Sequence, residues 1–392
     1  MAIEISYLFI TPYTLRKSRT GGIIARLLSR TDLDLVGAQV LTFDQEITKK
    51  YADLLKETLG KKDKKSADLL ADYVKENFAP DADGHGHRVM MLLFKGEDAC
   101  AKLSAITGTF KPGGSRDLAT GETLRDTYAD YVLSKGMFGK VRYFEPAVMT
   151  PPDYESAKAK LGVFAEYVKK QANIVDNIVM HEKGNERTLV IIKPDNWRRP
   201  STRPGNIIDM LSRTGLRIVG CKIHRMPVRD ALEFYGPVKD ALRSKLAPAI
   251  GDKAKEILED QLSIKLSSDI NSKLTEEVGI PYADNQFENI IEFMSGLRPS
   301  NCAEEMLDAP GTAKCMILIY EGKDAISKIR QVLGPTDPTK APGGTVRREF
   351  GSDIMVNTAH ASDSPESVER EMKVVKIEYN SLGDVILENL EN

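Results

Sequence analysis

The sequence predicts an α+β protein made of two tandem βαββαβ units, each an antiparallel sheet with helices packed on it. Three echoes within the chain carry this prediction. The stretch Gly22–Ile23–Ile24–Ala25–Arg26–Leu27–Leu28–Ser29–Arg30–Thr31 returns as Asn206–Ile207–Ile208–Asp209–Met210–Leu211–Ser212–Arg213–Thr214. Leu35–Val36–Gly37 then recurs as Ile218–Val219–Gly220, and Phe94–Lys95–Gly96–Glu97–Asp98–Ala99 as Tyr320–Glu321–Gly322–Lys323–Asp324–Ala325. Self-similarity over this distance means one supersecondary unit used twice. The second half is longer between these landmarks by about 43 residues, which puts an insertion at about 244–285.

The elements follow in order. In the second half Thr188–Ile192 is a short apolar strand, Ile207, Ile208 and Leu211 recur at helical spacing, and Leu216–Ile223 alternates as a strand. Met316–Tyr320 reads as a buried strand, followed by an amphipathic helix from Lys323 to Val332. A strand, helix, strand, strand, helix, strand order suits an antiparallel sheet with helices on one face, the ferredoxin-like arrangement. Asp153–Ile178 reads as a helix leading into the polar stretch His181–Glu186, which sets the boundary between a domain at 1–182 and one at 183–392. Inside the insertion, Ile257, Leu258, Leu262, Ile264, Leu266, Ile270 and Leu274 predict extra helices covering the second domain. Val374–Ile377 and Val385–Leu390 are apolar enough to cover a subunit or inter-domain contact.

Composition narrows the function classes. The chain has 392 residues, 41% hydrophobic and 29% charged, with a net charge of −2. That length supports two or three well-buried cores, and that charge predicts neither nucleic-acid nor membrane binding. There is no apolar run of about 18 residues to span a membrane and no secretion signal at Met1–Ile5. Cys100, Cys221, Cys302 and Cys315 are few and scattered, as expected of reduced thiols in the cytoplasm.

The chemistry concentrates in Asn357–Thr358–Ala359–His360–Ala361–Ser362–Asp363–Ser364. His360 follows the apolar segment Ile354–Met355–Val356 and precedes a helix with Ser364 as N-cap and Pro365 in its first position. A histidine at such a junction, with a carboxylate on the next helix, can act as nucleophile and proton carrier. Upstream, Lys193–Pro194–Asp195 follows the first strand of this half, its proline fixing the turn that projects the lysine. Arg330, Thr336 and Arg347 sit in a Pro/Gly-rich region, and arginine forks suit phosphate oxygens.

This half resembles the nucleoside diphosphate kinase family. The family shows a Lys-Pro-Asp turn, a Gly-X-Thr-X-Pro step, a Pro-Gly-Thr-X-Arg loop and an Asn-X-X-His-Gly-Ser-Asp-Ser segment. Here they read Lys193–Asp195, Gly334–Pro338, Pro342–Arg347 and Asn357–Ser364, with 11 residues from Thr336 to Arg347, 13 on to His360 and 11 on to Glu371. The match covers about residues 187–372, interrupted by the insertion. It departs from the family at Asn196 and at Ala361, where glycine is usual.

The resemblance implies a kinase that moves a γ-phosphate from a nucleoside triphosphate such as ATP to a nucleoside diphosphate such as GDP, through a phosphorylated His360. It implies that Glu371 and Ser362 orient the ring, that Lys193, Arg330, Thr336 and Arg347 hold phosphates, and that Tyr235 lies close to the transferring group. Asn357, with Lys193, would contact the ribose, and Phe287 would stack on the base. Magnesium would bridge the nucleotide phosphates, steadied through water by Asp363, with no direct protein ligand. The family also implies a homo-oligomer in which the two domains of a chain form a dimer-like pair.

The first half has lost these groups. Aligning the prolines puts Thr11 opposite Lys193, and Ser104 and Phe110 fall opposite Arg330 and Thr336. Arg125 keeps the place of Arg347, whereas Pro146 and Met149 stand opposite Asn357 and His360. A thioether cannot carry a phosphoryl group, so this half is expected to be silent. His85 and His87 flank Gly86 in a polar loop that reads as a solvated turn, and His181 and His224 read as surface or structural residues. The rival expectation is a catalytically idle nucleotide-binding regulator or scaffold.

Overall fold

A computed structural model describes residues 3–110, 121–133, 141–178, 184–379 and 381–391. His181, Glu182 and Lys183 of the expected boundary stretch lie outside them. Two four-stranded sheets dominate. The first is built from Ile3–Ile10, Asp34–Thr42, Arg88–Glu97 and Val148–Met149, arranged second, third, first, fourth. The second uses Asn185–Ile192, Arg217–His224, Cys315–Lys323 and Ala359–Ala361 in the same arrangement. In each sheet the first strand pairs antiparallel with both the third and the fourth. These strands are apolar along most of their length because helices or neighbouring segments cover both faces.

Two compact units result. One comprises 1–223 with 316–392 and carries both sheets; the other is His224–Cys315. In the first unit, the helix Thr20–Arg30 packs on the helix Arg203–Ser212 at a crossing of two glycines. A Cβ on Gly21 would stand 2.4 Å from the Asp209 nitrogen, and one on Gly205 2.2 Å from the Ala25 nitrogen. Only glycine permits that approach. The chain's last helix, Leu382–Glu391, returns to the first sheet, where Leu382 and Ile386 join a core containing Phe9, Phe43, Tyr51, Phe78 and Phe164. Val385, Leu387 and Leu390 pack against the same core. Fully burying each such side chain contributes about 1.5–3 kcal/mol.

Several expected boundaries move. The helix expected over Asp153–Ile178 ends at Lys169, and Ile174 and Val175 instead bond along the second sheet's edge, Val175 N–H donating to Val219 O at 2.9 Å. Ile354 and Met355 form no strand; the Asp353 carboxylate accepts from the Met355 and Val356 amides and turns the chain there. Both side chains are exposed. Within the second unit, Ile257, Leu258, Leu262 and Ile264 are exposed as well. Among the described residues no helix is long and apolar enough to cross a membrane.

Candidate active site

His360 is fixed by backbone before any side chain acts. It occupies the middle of the strand Ala359–Ala361 and pairs with Ile191, so strand alternation buries Ala359 and Ala361 on one face and turns His360 to the other. Thr358, immediately before the strand, has φ 71°, a left-handed conformation that costs a threonine about 1–2 kcal/mol. Its carbonyl is held twice, by the Lys193 amide at 2.9 Å and by Asn196 Nδ2 at 2.8 Å. Asn196 also donates to the Lys193 carbonyl at 3.0 Å. The residue that departs from the family's glycine is therefore a clamp between the lysine turn and the histidine strand. Sequence reasoning saw only the departure.

The imidazole is then oriented by a carboxylate. Ser364 caps the helix Pro365–Val374 as expected, its hydroxyl accepting from the Ser367 amide at 3.1 Å. The buried Glu371 side chain places Oε2 2.7 Å from His360 Nε2 and 2.7 Å from Ser362 Oγ, which donates to it. Arg370 donates to the other oxygen, Oε1, at 3.2 Å. An ionised carboxylate only accepts. The matching neutral tautomer therefore carries its proton on Nε2 and its lone pair on Nδ1.

Cations surround this pair. Lys193 Nζ donates to Asn357 Oδ1 at 2.8 Å and to the Met355 carbonyl at 3.2 Å. Burial pushes its ammonium down to about 8; Arg347 adds to that, and Asp195 and Asp353 oppose it. Both hydrogens of the Asn357 amide are used internally, on the Thr336 carbonyl at 3.2 Å and the Ile354 carbonyl at 2.6 Å. Arg347 donates to the Gly334 carbonyl at 2.8 Å and the Ala359 carbonyl at 2.9 Å, strapping the loop to the histidine strand. Arg330 and Thr336 are exposed. The Asp363 carboxyl is held below its usual range chiefly by the Ser367 hydroxyl at 2.6 Å, with the Arg330 and His360 charges contributing.

One compact unit thus brings together His360, Glu371, Ser362, Lys193, Asn357, Arg347, Arg330, Thr336 and Asp363. Tyr235 and Phe287 belong to the other unit. There Tyr235 is a buried residue ending the helix Val228–Phe234, and Phe287 is 4% exposed with the Lys239 ammonium 5.5 Å from its ring centroid.

Residues 282–378 match the family model described as nucleoside diphosphate kinase. The nucleoside diphosphate kinase of Hyperthermus butylicus is 31% identical over 199 residues, covering 51% of this chain and 97% of its own. That of Staphylothermus marinus is 31% identical over 190 residues, covering 48% of this chain and 92% of its own. The chain belongs to the nucleoside diphosphate kinase family. A crystal form of the Aquifex aeolicus nucleoside diphosphate kinase aligns with 49% of the chain and 95% of its own at 26% identity and a TM-score of 0.31.

The first half of this family member holds a site with the same frame and other groups. Met149 pairs with Phe9 as His360 pairs with Ile191, and the Thr11 amide donates to the Ala147 carbonyl at 3.1 Å as Lys193 does to Thr358. Ala147, like Thr358, has positive φ. Arg125 donates to the Gly108 and Val148 carbonyls, the counterparts of Gly334 and Ala359. The lysine turn is replaced by a neutral threonine whose hydroxyl donates to the buried Glu145 at 2.7 Å, with Tyr73 donating at 2.6 Å. Lys160, 1% exposed, stands where register places Glu371. The loop at Asp81–His85 is a turn closed by the Asp81 carboxylate, which accepts from the Asp83 and His85 amides.

Proposed function

We propose that the chain is a nucleoside diphosphate kinase with one working site, at His360. The observation that carries this is the Ser362–Glu371–His360 chain of 2.7 Å contacts on a strand beside Lys193 and Arg347. In the first step Nδ1 attacks the γ-phosphorus of a nucleoside triphosphate, the bond to the β–γ bridging oxygen breaks, and the diphosphate leaves with that electron pair. In the second, a terminal oxygen of a different nucleoside diphosphate attacks phosphohistidine and restores the ring. Glu371 stabilises the positive charge the ring carries while phosphorylated, which is why a carboxylate is required at Nε2.

Arg330, Lys193 and Thr336 hold the phosphates, and Arg347 acts both as strap and as a neighbouring positive charge. Asn357 serves as a positioning residue for Lys193, since its amide hydrogens are spent on the protein. Asp363 is ionised and exposed, which suits a water-mediated contact to magnesium bound on the nucleotide. When bound, that ion would draw charge from the phosphate oxygens. Tyr235 and Phe287 remain the proposed groups near the transferring phosphate and the base; Phe287 would have to expose a ring face to take the latter.

The domains at 1–182 and 183–392 are proposed as two ferredoxin-like copies of the family's unit, the first silent, paired as a dimer would be. Assembly into a homo-oligomer and a cytoplasmic location are proposed with them. Incubation with γ-labelled ATP and magnesium is the test. Acid-labile label on the protein, absent in His360→Gln and discharged by GDP, is the expected result. Nucleotide binding without label would instead make the chain an idle regulator.

A further inference from the structure

We infer that Arg203 is a positioning residue for phosphate transfer to His360, because it ties the lysine turn to the end of the helix that carries Arg347. This role rests on the reading of His360 as the phosphate acceptor. All the residues concerned belong to one compact unit.

Arg203 opens the helix Arg203–Ser212, two residues before Gly205, where the close helix crossing pins the backbone. A cation in a helix's first turn opposes the helix dipole at a cost of about 0.3–1 kcal/mol, so its contacts lie elsewhere. Nη2 donates to the Phe350 carbonyl at 2.7 Å and to Asp195 Oδ2 at 3.4 Å. The guanidinium carbon lies 5.9 Å from the centre of the Phe350 ring. Phe350 ends the helix Val346–Phe350, three residues after Arg347, and its carbonyl is one that a helix end leaves without an internal partner. Asp195 follows Lys193 by two residues in the turn that projects the lysine, and its side chain is 4% exposed. One guanidinium therefore links both cation-bearing segments.

Charge runs along the same link. Burial pushes the Asp195 carboxyl up, and the Arg203 charge is the first influence against it, ahead of Lys193 and Arg198. Lys193 in turn is pushed down by burial and by Arg347, with Asp195 the first group opposing and Asp353 the next. The first half offers the matched case. Arg19 stands two residues before Gly21, and its Nη1 donates at 3.0 Å to the carbonyl of Tyr128. Tyr128 ends the helix Leu124–Tyr128, three residues after Arg125. At the place of Asp195 that half has Tyr13, whose ring centre lies 5.6 Å from the Arg19 guanidinium carbon. The strap to a helix-end carbonyl is thus common to both halves, and the bond to the turn's carboxylate belongs to Arg203.

Rapid-quench labelling of the full chain with saturating γ-labelled ATP and magnesium tests the role. Arg203→Met should lower the rate constant for labelling about ten- to a hundred-fold, the scale of loss that a misplaced group causes. A merely structural loss would lower the amplitude of labelling and leave its rate constant alone. Arg203→Lys, a point charge that cannot fork between two acceptors, should recover to within about ten-fold of the parent and keeps the test open if the methionine variant folds poorly. Arg19→Met should leave the rate constant unchanged. Hydrogen exchange, which needs no turnover, should quicken about ten-fold in Arg203→Met over residues 190–197 and 346–352. Unchanged exchange there shows that Arg203 braces nothing. An unchanged rate constant in Arg203→Met, or an equal fall in Arg19→Met, overturns the role while label on His360 leaves the kinase reading standing. A parent chain that takes no label removes that reading, and the role with it.

Discussion

The two sheets share a strand arrangement and differ in the side chains placed on it. Met149 and His360 occupy the same register on equivalent strands, each preceded by a residue of positive φ and each strapped by an arginine to two carbonyls. On this common frame one half sets an imidazole against a carboxylate. The other sets a thioether on the strand and a lysine at the carboxylate's position. The frame therefore does not require the chemistry, and an arginine that straps two carbonyls in either half serves the frame. Arg125 and Arg347 are the clearest instance.

The sharpest way to break this comparison is at Glu371. Glu371→Gln keeps the shape and a hydrogen-bond acceptor but removes the charge proposed to steady the phosphorylated ring. Phosphorylation of His360 should slow about a hundred-fold. Rapid-quench labelling with γ-labelled ATP measures it, and an unchanged rate would remove the carboxylate from the mechanism. Ser362→Ala, which removes one of the donors to the same carboxylate, should cost less, about ten-fold.

Next comes the lysine that the first half replaces with threonine. Lys193 is pushed down to about 8, mainly by burial and then by Arg347. In the free protein it therefore loses its charge as pH rises through about 8. Capture of nucleotide phosphate should weaken about ten-fold per unit above that point. The pH profile of kcat/KM should bend there and straighten in Lys193→Met. A profile flat to pH 9 would show that Lys193 does not contribute its charge to binding.

The arginine straps give a smaller, two-sided prediction. Arg125→Met and Arg347→Met each leave two carbonyls without a donor, so each should cost about 1–3 kcal/mol of stability. Only the second should also slow turnover, because only there does the strap end beside the proposed nucleophile, His360. Urea unfolding alongside steady-state rates separates the two readouts. Equal losses of turnover would mean that the first half supports the site at a distance.

Much of this was legible in the sequence, and what was not has physical causes. The succession of strands and helices along the chain was legible because apolar alternation is a local property. His360, Glu371 and Ser362 fall together because a strand end and the helix after it are close whatever else folds. The sequence predicts too long a helix from Asp153 because Ile174 and Val175 keep an apolar rhythm, although they bond at a sheet edge. Arg347 was read as a phosphate ligand alone, and its carbonyl contacts need three segments in place. An arginine at the aligned position 125, in a half without the other groups, was the available signal. Asn196 offered none, because a side chain that bridges two backbone carbonyls leaves no pattern in one sequence.

Replacing Lys160 should leave turnover alone. Lys160 is buried and pushed down to about 8 from an ordinary 10.5. Among the described residues its ammonium is met only by the Thr58 hydroxyl at 2.8 Å and the Ser156 carbonyl at 3.4 Å. Between pH 8 and 10.5 the unfolded chain binds a proton that the fold does not. The lysine's contribution to stability therefore improves as pH rises across that window, and its burial penalty is fully present below it. Lys160→Met removes the penalty, which corresponds to about 3 kcal/mol at most, less what the Thr58 contact contributes. The variant should resist urea better than the parent at pH 7, with the gain shrinking towards pH 10, and its turnover should match the parent's. A gain that grows with pH would mean that the ammonium is stabilised where it lies. A fall in turnover would mean that the half lacking the histidine still governs the half that has it.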